Sequence, residues 1–430
     1  MLPRLLCLLA LLTVACPTAR TMAELETPAN LSEAGLDRLI DAHRRGDFAV
    51  ALRDVEGRPA GGAVTYELVR HDFEFGTAIA SRMVGAPDPV SARNRGLPSA
   101  DEIARYDQIV TTYFNSVVVE NAMKWPLMED ADGPDAGKEA RALFMADWAR
   151  ERDLYLRGHT LIWGVARWQP DWLKALAEQP AEVVEARVKA RLDRALTLFA
   201  PYVREWDLNN EMMHEDIFGR AMNLPNGAAY FTWAKAIDPD VTYYVNEYGV
   251  LQGNEVDRYV AHIRQLLDAG AKVGGIGDQA HFFKPVPENR RLWAILDKLG
   301  QFGLPVKITE FDLHYNGMTD AEQAEQLRRF YRVCFAHPAV EGIYMWGFYE
   351  NAHWRQRAAL WRPDWTPKPA AEAYMALMTD TFHTAGDAEA DASGGLRFRG
   401  FHGTYRFTSG GRSGTLRLNA GSPTGVVTLE

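Results

Sequence analysis

The chain has 430 residues, 47% of them hydrophobic, which is too long for one small domain and suits one (β/α)8 barrel with additions. Its net charge is −10, and no basic patch or arm is evident, which excludes nucleic acid as the expected partner. A neutral polysaccharide needs no steering by charge, and no protein partner is expected.

The N-terminus reads as an export signal over residues 1–23. Arg4 gives a short positive region, and Leu5 to Ala15 is an apolar run too short to span a bilayer. The alternative reading is a buried N-terminal helix. Export makes the protein secreted or periplasmic. Leu12-Thr13-Val14-Ala15-Cys16 partly matches a lipoprotein cleavage box, so Cys16 is a candidate for lipid attachment at the outer membrane. Cys7 also lies in this leader, and the remaining Cys334 sits in an apolar helical stretch as an expected packed thiol. That leaves no disulfide or cysteine metal framework.

Residues 24–72 form an N-terminal extension. Ser32 to Arg44 is helical in pattern, and 47–72 reads as a hairpin turning at Val55-Glu56-Gly57-Arg58-Pro59. Eight β-like runs then follow: Phe73–Ile79, Ser116–Glu120, Leu154–Ile162, Glu205–Asn209, Thr242–Asn246, Val273–Gln279, Pro305–Thr309 and Gly342–Trp346. Several are near-continuous apolar runs, as strands buried on both faces require. Helical stripes fill the gaps, such as Val184, Val188, Leu192, Ala195 and Phe199, or Val256, Tyr259, Val260, Ile263 and Leu267 ahead of Gly270. Thr319 with Glu322 forms a capping-box pattern for a helix ending before Pro338. Eight alternations favour a closed α/β barrel over 73–380, a TIM barrel. Residues 381–430 are rich in Gly, Ser and Thr with strand-like pieces such as Thr415-Leu416-Arg417-Leu418. They are expected to form a small β appendage, too short for an independent binding module.

Functional residues of such barrels gather at the C-terminal ends of strands. Here those ends carry Glu120-Asn121, Trp163 after a strand containing Gly158-His159-Thr160, Asn209-Asn210-Glu211, Asn246-Glu247-Tyr248, Gln279-Ala280-His281, Glu310-Phe311-Asp312 and Trp346. Such groups suit acetal cleavage. One carboxyl protonates the poor leaving group, and a second meets the developing oxocarbenium ion from the other face. Glu211 and Glu310 end strands four and seven, which face each other across the barrel mouth. Carboxyls there can approach to roughly 5–5.5 Å, the spacing of a retaining mechanism. Asn210 is placed for a sugar 2-hydroxyl, His281 for contact with Glu310, and Asp312 for orienting His281. Hydrogen bonds to its charged form keep a nucleophilic carboxylate ionised, so Glu211 is expected to carry the raised pKa.

Six motifs in order give the chain a resemblance to glycoside hydrolase family 10, the endo-β-1,4-xylanase family, from about Phe73 to Leu377. They are Glu120-Asn121-Ala122-Met123-Lys124-Trp125, Arg157-Gly158-His159-Thr160-Leu161-Ile162-Trp163, Trp206-Asp207-Leu208-Asn209-Asn210-Glu211, Gly275-Ile276-Gly277-Asp278-Gln279-Ala280-His281, Ile308-Thr309-Glu310-Phe311-Asp312, and Trp346-Gly347 followed by Trp354. The resemblance implies a retaining glycosidase cutting xylan-type chains internally, with Glu211 as acid/base and Glu310 as nucleophile. It implies that Glu120, Asn121 and Lys124 bind glycone sugars. It further implies that His159, Asn210, Gln279 and His281 bond hydroxyls at the cleaved sugar, and that Trp163, Trp346 and Trp354 wall it. Tyr248, in the segment matching the family's Asn-Asp-Tyr-Asn, is a further substrate-binding candidate.

The chain departs from the family in four places. Gly164 replaces a His, Val165-Ala166-Arg167-Trp168 replaces a Gln-containing loop, Gly249 replaces an Asn, and Glu350 and His353 replace the usual Asp and Ser. Arg167 and Arg355 read either as surface charges or as ligands for an acidic decoration such as glucuronate. Competing readings are a barrel glycosidase of other specificity (arabinofuranosidase, glucanase or algal-glycan hydrolase) and an inactive carbohydrate-binding protein. A metallohydrolase using His159, His281 and Glu310 lacks a spaced His pair, so neither metal nor cofactor is expected.

Overall fold

The computed structural model describes residues 28–87, 96–224 and 227–430. The expected export signal over residues 1–23, with Arg4 and Cys16, lies outside them. The N-terminal extension contributes helix α1 (Glu33–Arg44) and strands β1 (Arg45–Arg53) and β2 (Gly62–His71). Strands β3 (Glu74–Ile79), β4 (Ser116–Val119), β5 (Tyr155–Gly158), β6 (Val203–Asn210), β7 (Thr242–Glu247), β8 (Gly275–Asp278), β9 (Val306–Leu313) and β10 (Val340–Met345) follow. Each pairs in parallel with the next, and β10 pairs with β3, closing an eight-stranded barrel. Helices α2 (Ala100–Tyr113), α3 (Ala136–Glu151), α4 (Ala181–Phe199), α5 (Ala228–Ile237), α6 (Val256–Asp268), α7 (Asn289–Gly300), α8 (Asp320–Ala336) and α9 (Pro369–Ala376) follow the strands in turn. The α4 stripe is buried as its spacing predicts, and α8 opens on the Thr319–Glu322 capping box. Cys334 is a buried free thiol on α8.

The strand bounds differ from the expected runs at two places that matter. The third stops at Gly158, so His159 and Thr160 are loop residues at the barrel mouth. The seventh runs on to Leu313, carrying Glu310 and Asp312 inside the strand itself.

Small and large residues alternate inside the barrel. A Cβ on Gly76 would lie 2.3 Å from the Tyr344 ring, and one on Gly275 would lie 2.2 Å from that of Tyr244. Beneath these rings runs a buried ion network. Arg157 bonds Glu205 at 2.6 Å and Asp207 at 2.5 Å, and Lys307 bonds Glu205 at 2.5 Å and Glu74 at 2.6 Å. Each buried charge is paired, as interior charges must be. Asp207 connects this floor to the mouth, its Oδ2 lying 2.9 Å from His159 Nδ1.

The expected hairpin over 47–72 is formed only at its turn, where Arg53 bridges Pro59 in antiparallel fashion and Ala60 N–H donates to Leu52 O at 3.0 Å. The chain does turn at Asp54, whose Oδ1 accepts from Glu56 N–H and Arg58 N–H. However, β1 and β2 then enter different sheets. β1 lies between β12 (Gly395–Phe401) and β15 (Thr424–Thr428). β2 lies between β11 (Ala385–Ala390) and β13 (Gly403–Ser409), with β14 (Arg412–Leu418) outermost. The two sheets face each other through Phe48, Tyr66, Phe398, Tyr405 and Phe407. The reason is burial: β1 and β2 each have one apolar face, and stacking the faces buries both, whereas a lone hairpin leaves them wet.

Both terminal segments thus share one β-sandwich beneath the barrel, at the end away from the site. Phe73, Phe335 and Phe401 pack across the junction. Arg44, at the end of α1, donates to Phe335 O, His337 O and Val340 O at 2.6 Å each, satisfying carbonyls from the C-terminus of α8 to the start of β10.

Candidate active site

A cleft of about 750 Å³ opens at the C-terminal ends of the strands. The structure brings all but one of the candidate residues to it: Glu120, Asn121, Lys124, His159, Trp163, Asn210, Glu211, Tyr248, Gln279, His281, Glu310, Trp346 and Trp354. Asp312 sits behind His281.

Glu211 caps β6 in a left-handed backbone conformation (φ 61°), with its N–H donating to Asn246 O at 2.9 Å. Its side chain is buried, and Oε1 accepts from Gln279 Nε2 at 3.0 Å and Asn210 Nδ2 at 3.4 Å. Burial pushes its pKa above the ordinary carboxyl range. The Gln279 hydrogen bond opposes this shift, and the charge of Glu310 adds to it.

Glu310 stands in a different setting. Oε1 accepts from Asn246 Nδ2 at 2.8 Å, and Oε2 lies 3.2 Å from His281 Nε2. Burial alone would discharge His281. The charge and hydrogen bond of Asp312, joined by Glu310, overturn that and hold the imidazole at a pKa of about 10. It is therefore an imidazolium at neutral pH, with Nδ1 3.1 Å from Asp312 Oδ1. Burial pushes the Asp312 carboxyl up, but the charge and hydrogen bond of His281, with the charges of His353 and Arg355, together hold it below the usual range.

Two supporting residues escaped the sequence reading. Asn246 was visible only as a strand ending. Its Oδ1 accepts from Thr309 Oγ1 at 2.6 Å, which leaves Nδ2 to donate to both Asn210 Oδ1 and Glu310 Oε1 at 2.8 Å. A polar residue ending a strand where the fold gathers function was the available signal. Arg355 is neither a surface charge nor a cleft ligand, so both readings of it are corrected. Its guanidinium bonds Asp312 Oδ1 at 2.5 Å and Phe282 O at 3.0 Å, and lies 3.8 Å from the Phe283 ring. Trp354 Nε1 donates to Asp312 Oδ2 at 2.7 Å, so Trp354 both borders the cleft and helps hold Asp312. No sequence signal ties Arg355 to Asp312, because the contact is made across the fold.

The rest of the cleft is set as follows. Lys124 Nζ donates to Asn121 Oδ1 at 3.0 Å and lies 4.9 Å from the Trp163 ring. Burial lowers its pKa, against the pull of Glu310, Glu120 and Glu211. The Trp346 ring is buried and meets His159 edge-on at 5.1 Å. Tyr248 stacks on His214 at 3.8 Å. Two of the departures lie behind the cleft. Glu350 pairs with Lys368 at 2.5 Å, and buried His353 accepts the Arg355 N–H at Nδ1, 2.9 Å away.

Fold and site together define a (β/α)8 barrel with two buried carboxyls, Glu211 and Glu310, at one cleft over the C-terminal ends of its strands. The sequence profile of glycosyl hydrolase family 10 matches residues 67–377, and the chain belongs to that family. It is 34% identical over 394 residues to Anti-sigma-I factor RsgI6 of Acetivibrio thermocellus, covering 90% of this chain and 48% of that protein. It is 30% identical over 296 residues to Endo-1,4-beta-xylanase 2 of Arabidopsis thaliana, covering 68% and 27%. The chain therefore spans half or less of the length of these relatives. Xylanase 10B of Thermotoga petrophila RKU-1, solved with xylobiose, shares the fold at a TM-score of 0.63 and 23% identity, over 72% of this chain and 95% of that one.

Proposed function

We propose that this protein cuts xylan-type β-1,4-glycans internally and with retention, Glu211 serving as general acid/base and Glu310 as nucleophile. One observation carries the reading. Both carboxyls are buried at one cleft, Glu211 pushed toward its protonated form while Glu310 is met by a cationic imidazole and an amide donor. Glu211 then protonates the leaving oxygen as the Glu310 carboxylate attacks the anomeric carbon. Water, deprotonated by Glu211, releases the sugar in the second step. The likeness to enzymes named endo-1,4-beta-xylanases supports the substrate class.

The test compares wild type, Glu310→Ala and Glu211→Ala on linear xylan, glucuronoxylan and mixed-linkage glucan, with an aryl β-xylobioside as an activated substrate. Glu310→Ala should lose turnover on all of them. Glu211→Ala should keep the aryl substrate, which needs little protonation, and lose the polysaccharides. NMR of the first-formed anomer reads retention directly. Wild-type rates in both variants would end this reading. A second reading, glycan binding without turnover, is favoured by one fact: a relative matched over 90% of this chain is named an anti-sigma-I factor and not an enzyme. Xylo-oligosaccharide binding by wild type with no new reducing ends would select it.

A further inference from the structure

The loop after Trp163, where the chain departs from the family, has a fixed shape. Ala166–Trp168 makes one turn of 3-10 helix. Gln169, buried behind it, donates to Trp163 O at 2.7 Å, and Ala166 N–H donates to Glu215 Oε2 at 2.9 Å. Ile217 N–H donates to Gly164 O at 2.9 Å, tying this loop to the one that follows Glu211. A Cβ at Gly164 would sit 2.6 Å from Asp216 Oδ1 and 2.9 Å from its Cα, so only glycine lets the two loops meet.

This pinned turn presents two exposed side chains to the cleft. Trp168, 56% exposed, stacks on Trp163 at 6.1 Å and 22°. Arg167 places its guanidinium 5.2 Å from the Trp168 ring and reaches the Tyr248 hydroxyl. No carboxylate among the described residues pairs with it. The acids nearby are engaged elsewhere, Glu215 with Arg220 at 3.0 Å and Glu255 with Arg258 at 3.4 Å.

We propose that Arg167 is a specificity residue that receives a carboxylate borne as a substituent on the glycan, a uronic acid branch, with Trp168 and Tyr248 as flanking rings. This rests on the glycan-cleaving reading and names the decoration that it selects. A neutral glycan gives a guanidinium no partner of opposite charge. The planar fork of arginine matches the two oxygens of a carboxylate, and ring contacts hold it oriented at little entropic cost. In a protein of net charge −10, a local cation is also what makes an acidic branch acceptable.

The experiment measures Kd in Glu310→Gln protein and kcat/KM in wild type, using a glucuronate-branched xylo-oligosaccharide and the same oligosaccharide with its carboxyl reduced to the alcohol. The acidic ligand should win by about tenfold in both measurements, the worth of a hydrogen bond to a charged group. In Arg167→Gln that ratio should fall to near one, whereas in Trp168→Ala both ligands should weaken together. Equal Kd values for the two ligands in Glu310→Gln protein would overturn the assignment. So would tighter binding of an oligogalacturonate, whose carboxylates lie along the backbone. Cleavage of linear xylan by wild type would then leave the wider reading standing, so the two failures are distinguishable.

Discussion

At Glu211, burial disfavours the charged form and Glu310 adds its repulsion. Replacing Glu310 by Gln removes that repulsion, so a 13C titration of Glu211 should move to lower pH than in wild type. An unmoved or raised midpoint would contradict the electrostatic coupling. His281 gives a second test. Its folded pKa of about 10 lies above the ordinary 6.5, so the stability it contributes is fully present below pH 6.5 and is lost as pH rises through about 10. Denaturant unfolding followed from neutral to alkaline pH should show this decline in wild type and much less of it in Asp312→Asn, whose imidazole has lost its main counter-charge. In the same variant kcat should fall by about ten- to hundredfold, the worth of one charge-assisted hydrogen bond. The residue types at this site were legible in sequence, because acid, amide and imidazole side chains end successive strands. The protonation states were not. They depend on burial and on contacts such as Asp312 with Arg355, which join residues that no local pattern links.

Strands and their connecting loops carry the next set of constraints. The eight strand runs could be read from apolar β-rich stretches, and α4 from its 3.6-residue stripe, since burial on a known face writes itself into the pattern. Strand ends were harder. β5 stops at Gly158 and β9 runs on through Asp312, because ladder pairing with neighbours decides where a strand ends. Gly164 tests the loop scale. Gly164→Ala forces a methyl to 2.6 Å from Asp216 Oδ1, and the loops must separate at a cost of about 1–3 kcal/mol. Chemical denaturation measures the loss, and an unchanged midpoint would show that the loops yield freely. In the barrel floor, Arg157→Ala takes from buried Asp207 its guanidinium partner, while Glu205 keeps Lys307. Leaving buried charge unpaired costs about 3–5 kcal/mol, a large part of a domain's stability.

Over the described residues as a whole, the segments that flank the barrel close on each other. β1 is held between β12 and β15, and β2 between β11 and β13, so neither can be satisfied by its own segment. Deleting residues 385–430 would expose Phe48, Val50, Leu52, Val64 and Leu68, all buried in the intact protein. At about 1.5–3 kcal/mol for each side chain, that loss is as large as the net stability of many domains. The truncated chain should therefore aggregate or unfold well below the wild-type temperature, although the cleft lies at the far end of the barrel. A truncated protein with wild-type Tm and activity would show that the sandwich is dispensable. The α1 contact makes a milder probe: Arg44→Ala takes this donor from the carbonyls of Phe335, His337 and Val340 and should lower Tm by a few degrees.

Sequence alone determined the barrel, its strand order, and the presence of two carboxyls among amide, imidazole and indole side chains at the strand ends. Those features follow from periodicity and from which residue types end each strand, and both are local. Only the tertiary structure decided that the segments flanking the barrel form one sandwich, that Asn246 and Arg355 support Glu310 and Asp312, and that Arg167 has no carboxylate partner among the described residues. Each of these depends on which distant surfaces come to face each other once the apolar area is buried.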